Sequence, residues 1–306
     1  MTTNTTFGIE LEFTGITMKD AAEITKAYLH STCGITVRGL ASCIITDQQD
    51  REWTIDHDSS INASHNRQCE LVTPVLTIED LPTLKGLVEV LKNVGAISSD
   101  ELGCGLHLHI GSEGHNAQTL RNLVNIMASH EDQLFKAFGV TKPDRAEHFC
   151  KKVDTKFLKK LNKTKPQTIK ELADIWYKTQ CYDFGRDNIY NPTRYHALNL
   201  HALFCKYRYN TIEFRFGQFT EANSMDWTSL EAFIRICLAI NELAKSVKTA
   251  SAKPQQTENP RYAFRCFLLR LGFIGDDTKA VRTTGIAGGL FSPVRACYRQ
   301  PLTGSE

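Results

Sequence analysis

The segment Phe7-Gly8-Ile9-Glu10-Leu11-Glu12-Phe13 alternates apolar residues with small or acidic ones at a period of two. Only an extended strand places every second side chain on one face. A strand that buries Phe7, Ile9, Leu11 and Phe13 must therefore show Glu10 and Glu12 together on its other face. The same period recurs at residues 104–110, where His107 and His109 oppose Leu106, Leu108 and Ile110. It recurs again at residues 211–219, where Ile212, Phe214 and Phe216 oppose Thr211, Glu213 and Arg215. A short strand is expected at residues 53–56, followed by the polar turn His57-Asp58-Ser59-Ser60. Another at residues 69–76 carries Glu70 and stops near Pro74. Residues 195–204 read as one more strand, with Asn199 and His201 inside an apolar run, and residues 206–210 as the hairpin turn that follows it.

Between these strands the apolar period changes to that of a helix. Residues 20–30 form one, closed by Gly34. Thr77 caps a second, with Leu81, Leu84, Leu87, Val88 and Leu91 in step and Gly95 at its end. Asn116 opens a third, lined by Leu120, Leu123, Val124, Met127, Leu134 and Phe138. Further helices are expected at residues 157–161, 168–177, 226–247 and about 264–271. Strands and hairpins interrupted by helix pairs point to an α+β fold on an antiparallel sheet, not to a doubly wound parallel one.

The 306 residues suit one large domain, residues 1–250, with residues 251–306 as a helical extension packed on it. Residues 140–190 read as a basic helical insertion, because residues 141–180 hold 11 Lys/Arg against 5 Asp/Glu while the whole chain is only +2. This part is expected to be the most exposed and the least tightly packed. The N-terminal residues show neither a basic region nor an apolar one of secretory type, and no run approaches the roughly 18 apolar residues of a membrane span, so a cytoplasmic location without membrane partners is expected. The ten cysteines include no C-x-x-C pair and read as reduced thiols rather than zinc ligands. Cys104 stands near His107 without an evident base and reads as structural.

Taken singly, the ionisable strand residues have bland readings. Glu10 and Glu12 suit a solvated strand face, His107 and His109 a hydrogen-bonded interior, and Glu213 and Arg215 a surface pair. Together with Glu70 they place acids, imidazoles and an arginine at alternate positions of four strands. If those faces converge, closely spaced carboxylates need cations between them. Carboxylate oxygens with imidazole suit Mg2+ or Mn2+, whose open positions take phosphate oxygens.

The motifs Gly8-Ile9-Glu10-Leu11-Glu12, Asp58-Ser59-Ser60-Ile61, Glu70-Leu71-Val72-Thr73-Pro74, Cys104-Gly105-Leu106-His107-Leu108-His109-Ile110, Arg194-Tyr195 with Leu198-Asn199, and Thr211-Ile212-Glu213-Phe214-Arg215 occur in this order. The chain thereby resembles the amidoligase family, a branch of the carboxylate–amine ligases that include glutamine synthetase and glutamate–cysteine ligase. The resemblance implies a glutamine-synthetase-like antiparallel sheet, a half-open barrel with helices on its outer face. It implies an ATP-dependent ligase that joins a carboxylate to an amine, as an amide or isopeptide, through an acyl phosphate. ATP and Mg2+ (or Mn2+) would be its cofactors. Carried over by position, Glu10, Glu12, Glu70, His107 and Glu213 match metal-binding residues, and His109 a residue near the nucleotide. Arg215 matches an arginine at the transferred phosphate, Arg194 a phosphate or substrate arginine, and Asp58 an acid on the amine side. Ser59 departs from the family pattern, which has glycine there. On this reading Glu12→Ala or Glu213→Ala is expected to abolish ATP turnover and to leave the fold intact.

Two other functions compete. One is a metal-dependent hydrolase or phosphotransferase on the same fold. The other is a nucleic-acid-associated protein that docks through the lysines of residues 151–170, although few aromatic residues interleave with them.

Overall fold

The computed structural model describes residues 5–39, 42–140, 142–180, 184–208, 210–254, 258–275, 278 and 281. Eight strands form one antiparallel sheet: β1 (Phe7–Phe13), β2 (Thr36–Arg38), β3 (Ser42–Thr46), β4 (Glu52–His57), β5 (Cys69–Val72), β6 (Leu106–Gly111), β7 (Leu198–Asn199) and β8 (Thr211–Gly217). Their order is β2-β3-β4-β5-β1-β6-β8-β7, and among the described residues the sheet does not close. The alternation of β1 does what its period requires: Phe7, Ile9, Leu11 and Phe13 are buried in the core.

Helices cover that apolar face. They are α1 (Met18–Tyr28), α2 (Leu81–Asn93), α3 (Ala117–Ala137) and α8 (Trp227–Ser246), with α8 packed on α2, α3 and β6. Asn116 opens α3 as expected, whereas α1 ends at Tyr28 with Leu29 as its C-cap, well before Gly34. Asn116 accepts from the backbone of Gln118 and Thr119, and Asp226 from that of Ser229. Thr77 instead caps a short 3-10 turn, Ile78–Asp80, that feeds α2. At the α3–α8 junction Phe216 of β8 meets Phe138 and Phe233 edge-on, at centroid distances of 5.5 and 5.2 Å.

The basic segment forms α4 (Pro143–His148), α5 (Thr155–Thr164) and α6 (Ile169–Gln180). It is not loosely packed. Phe157, Leu161 and Leu172 are fully buried and Trp176 nearly so, all within the main core. The reason is amphipathicity: α5 turns Phe157 and Leu161, four residues apart, toward α3 and α6, and leaves Lys156, Lys159, Lys160 and Lys163 outside.

The strand expected at residues 195–204 is confined to β7. Asn199 Oδ1 accepts from the backbone of His201 at 2.8 Å, and the chain turns there into the short helix α7 (His201–Phe204). The hairpin turn expected at residues 206–210 therefore has a helix and not a strand before it, and Tyr209 lies outside the described residues. The segments β2 and β3 carry no alternation strong enough to announce them. Beyond α8, α9 (Pro260–Arg270) adds Phe264, Phe267 and Leu268 to the core, and Phe267 stacks on His130 of α3 at 3.7 Å. The Gly-rich tail that follows lies outside the described residues. No helix among the described residues is long and apolar enough to cross a membrane. The eight described cysteines are free.

Candidate active site

Antiparallel partners that stand opposite each other share a face. The register therefore assembles the non-core face of the sheet in rows. One row runs Asp56 on β4, Glu70 on β5 and Glu12 on β1. The next includes Glu10 on β1 and His107 on β6. A third runs Gly8 on β1, His109 on β6, Glu213 on β8 and Asn199 on β7. Side chains from distant segments thus meet on one polar surface.

The contacts are dense. Glu10 lies 3.0 Å from His107 Nδ1 and 3.1 Å from His109 Nε2. His107 also lies 3.8 Å from both Glu12 and Glu213. Glu12 accepts from the backbone N–H of Gly105, and Asn199 donates to Glu213 at 2.6 Å. Arg215 forms a close ion pair with Glu213, and Thr211 Oγ1 meets His109 Nδ1 at 2.8 Å. Glu12, His107, Glu213 and Arg215 are buried.

Charge balance differs sharply between the acids. Burial pushes Glu10 up, but the His109 charge and hydrogen bonds from both histidines prevail and hold it well below the usual carboxylate range. Burial also opposes ionisation of Glu213, and Arg215 followed by His109 reverses the effect. His109 loses some proton affinity to burial and regains more from Glu213 and Glu10. Glu70 has no such relief: burial, then repulsion from Glu10, Glu12, Asp58 and Asp56, pushes it well above the usual range.

Three sets of ligand atoms lie within 4.8 Å of one another: Glu10, Glu70 and His107; Glu10, His109 and Glu213; Glu12, Asp58 and Glu70. The last set offers oxygen alone. Such hard donors fit Mg2+ or Mn2+, and a cation held there would relieve the repulsion at Glu70.

Two cavities open along this face, at successive positions of β1. One of about 580 Å³ is lined by Gly8, Glu10, Val72, Pro74, His109 and Thr211 among others. The other, of about 490 Å³, is lined by Glu12, Asp58, His107, Arg145, Arg194 and Arg215 among others. Asp58 is held in its turn by the N–H of Ser60 at 2.7 Å. Ser59 is not among the residues with positive φ, so this turn does not need the glycine it lacks. Arg194 lies 5.2 Å above the Tyr195 ring, and Arg215 6.0 Å from the same ring.

The family model described as "Putative amidoligase enzyme" matches residues 3–241. The chain belongs to the amidoligase family. No curated protein and no solved structure matches it. The amidoligase match spans every strand of the polar face and most of α8, while α9 lies beyond it. An amidoligase joins a carboxylate to an amine, so substrates of those two classes follow from membership.

Glu10, Glu12, Glu70, His107, His109, Glu213 and Asp58 all fall within the three ligand sets. Arg194 and Arg215 line the second cavity with Glu12 and Asp58. Sequence reasoning assigned no part to Asp56, Asn199 or Arg145. Asp56 was within reach, because Trp53 and Ile55 alternate with Thr54 and Asp56. Asn199 stood in a quoted motif, but its partner Glu213 depends on the β7–β8 register. Arg145 carried no signal, since nothing in the basic segment marks one cation from the rest. Cys104 is buried and its thiol is pushed up to about 12, chiefly by burial, which suits an inert structural residue.

Proposed function

We propose that this amidoligase is an ATP-dependent carboxylate–amine ligase working through an acyl phosphate. The observation that carries the reading is the row of three overlapping ligand sets on one sheet face, flanked by a cavity on either side along β1. On this reading the open sheet is the half-open barrel of the glutamine-synthetase-like ligases.

Glu10, Glu12, Glu70, His107 and Glu213 would hold Mg2+ or Mn2+, which supply charge neutralisation for a triphosphate. On this reading the cavity lined by Gly8 and His109 would take ATP. The carboxylate substrate enters the cavity at Glu12 and Arg215. Its oxygen takes the γ-phosphoryl group of ATP and ADP leaves. The buried Arg215 guanidinium faces the charge that builds on the moving group. Burial opposes its charge, but Glu213 and Glu10 outweigh that and keep it protonated. The amine nitrogen then attacks the acyl carbon, phosphate departs, and the amine proton passes to a carboxylate. Asp58, fixed by Ser60 at the second cavity, attracts the ammonium form and is placed to take that proton.

The cleanest test is Glu70→Gln. Alanine at Glu213 would strand Arg215 as a buried unpaired cation, a change of the kind that costs about 3–5 kcal/mol, so the intact fold expected of Glu213→Ala does not follow. Glutamine at Glu70 removes a ligand charge and relieves repulsion instead. The variant should lose ATP turnover by about 100-fold or more in an amine-dependent phosphate-release assay while melting no lower than the wild type. Near-normal turnover would sink the metal assignment. Phosphate release independent of any amine would favour a hydrolase.

A further inference from the structure

On α5 the side chains of Lys156, Lys159, Lys160 and Lys163 are all exposed, and their spacing of three and four residues sets them in one stripe along the outer face. None of them has a carboxylate within 4.0 Å among the described residues. From Lys156 to Lys170 the chain holds six lysines and no acidic residue. The acids at either end are bonded to the backbone instead: Asp154 accepts from the Phe157 N–H at 2.7 Å and Glu171 from the Gln167 N–H at 2.9 Å. Other helices are built differently. Lys85 of α2 meets Glu89 at 3.8 Å, and Arg235 and Lys245 of α8 meet Glu231 at 2.7 Å and Glu242 at 3.1 Å.

Like charges at helical spacing repel and weaken the helix that carries them. The other face of α5 makes good that loss, since Phe157 and Leu161 are fully buried. An anion laid along the stripe would remove the repulsion, and the surroundings select which kind. A helix binds a bilayer by laying its apolar face into the headgroups, and here that face is spent on the core. An acidic protein partner needs apolar or aromatic anchors. Leu158, the remaining apolar side chain of α5, packs against the core as well. Single strands are held by stacking on aromatic rings, which the outer face of α5 lacks. Phosphate contact needs cations alone, and duplex DNA presents one negative charge per roughly 1.7 Å of its axis.

We propose that the outer face of α5 docks the chain on duplex DNA through the phosphate backbone, without sequence preference. The stripe from Lys156 to Lys163 is about 10 Å long at the rise of an α-helix, which matches about three phosphates of one strand. It is too short to bridge the two minor grooves by which duplex RNA is held. Base reading is not provided for: Asn162, between the lysines, is bonded to Asn125 at 2.8 and 3.0 Å. The proposal stands apart from the ligase reading, because the stripe shares no residue with the polar face of the sheet.

Fluorescence anisotropy of a labelled 30-bp DNA duplex, titrated with the full chain in EDTA and without ATP, tests this. Four lysine–phosphate contacts predict a slope of about −3.6 in log K against log salt, so affinity should fall about 100-fold between 50 and 200 mM salt. The double variant Lys156→Gln, Lys160→Gln should make the slope shallower by about two and weaken binding at 50 mM salt at least about tenfold. Lys159→Gln with Lys163→Gln should do the same, and Lys156→Arg with Lys160→Arg should retain binding. Lys85→Gln with Lys92→Gln, on α2, removes as much charge and should leave the slope unchanged. The α5 variants should melt no lower than the wild type, since they lose repulsion. No binding at 50 mM salt overturns the proposal, as does a slope that survives both α5 glutamine pairs or falls equally with the α2 pair. Tighter binding of an RNA duplex, of poly-glutamate or of phosphatidylserine vesicles overturns the assignment to DNA. Amine-dependent phosphate release should be the same in the α5 variants and the wild type, so its absence from both counts against the ligase alone.

Discussion

Glu131 shows how one side chain can set a pH dependence. It is buried on α3, and both of its carboxylate oxygens accept from the backbone N–H of Val153, at 2.9 and 3.2 Å. Burial pushes it up to about 7, and the Val153 hydrogen bond and the Lys152 charge offset only part of that. A raised value means that the folded chain holds the proton more tightly than the unfolded chain does. The resulting stabilisation is complete below the ordinary value of 4.5 and is lost as pH rises through about 7. The shift corresponds to roughly 3 kcal/mol. Glu131→Gln keeps an acceptor for Val153 and carries no charge at any pH. In urea titrations the two proteins should differ little near pH 4.5 from this group, and the variant should be the more stable by roughly 2–3 kcal/mol at about pH 8. A constant difference across pH would contradict this. At this scale much of the site was readable: Glu10 with Glu12, His107 with His109, and Glu213 with Arg215 share faces because backbone geometry within a strand dictates it. The electrostatic state of each was not readable, since Glu10 and Glu70 are the same residue type pushed in opposite directions by their neighbours.

At the scale of elements, the irregularity that matters most is in β8. Leu106 pairs with Gly217 and Leu108 with Phe214, so His107 stands opposite both Arg215 and Phe216. This is a β-bulge, and it lets Arg215 stay on the polar face while Gly217 turns toward the core. A Cβ at Gly217 would fall 2.7 Å from Leu106 O and 2.8 Å from the Phe233 ring, so glycine is needed for close approach. Gly217→Ala should cost about 1–3 kcal/mol in denaturant titrations. It should also depress ATP turnover beyond what the lost stability explains, because the bulge carbonyls hold Arg145 and the bulge aims Arg215. Alternation alone predicted Phe216 on the core face but could not place Gly217, because a bulge leaves no mark in the apolar pattern. The end of β7 was misread for a related reason. An apolar run at residues 195–204 fits a strand or a buried helix, and a single side-chain-to-backbone bond from Asn199 decided between them.

Over the whole molecule, the sheet balances a well-packed apolar face against a polar face crowded with acids. A divalent cation that binds only the folded state stabilises it by about 2.7 kcal/mol at a concentration one hundred times its dissociation constant. Mg2+ should therefore raise the melting temperature of the wild type by several degrees, and EDTA should reverse the rise. Glu70→Gln should melt higher than the wild type in EDTA and gain little from Mg2+, so that the two curves approach each other in Mg2+. Equal Mg2+ responses would place any bound cation away from these acids. The basic segment belongs to the same balance. Its lysines face outward as charge patterning suggests, yet Phe157, Leu161 and Trp176 anchor it in the core and bring Arg145 over the sheet.

The sequence by itself determined which side chains leave each strand together, where most helices start, and which residue types could hold a cation. These follow from local geometry: the period of a strand or helix and the orphan N–H groups at a helix start. Only the tertiary structure decided that Glu70 stands beside Glu12, that Glu213 lies beside His109 and Asn199, and that Arg145 reaches the same hollow. Those neighbours come from strand register and helix docking, which depend on contacts between segments far apart along the chain, and no local period encodes them.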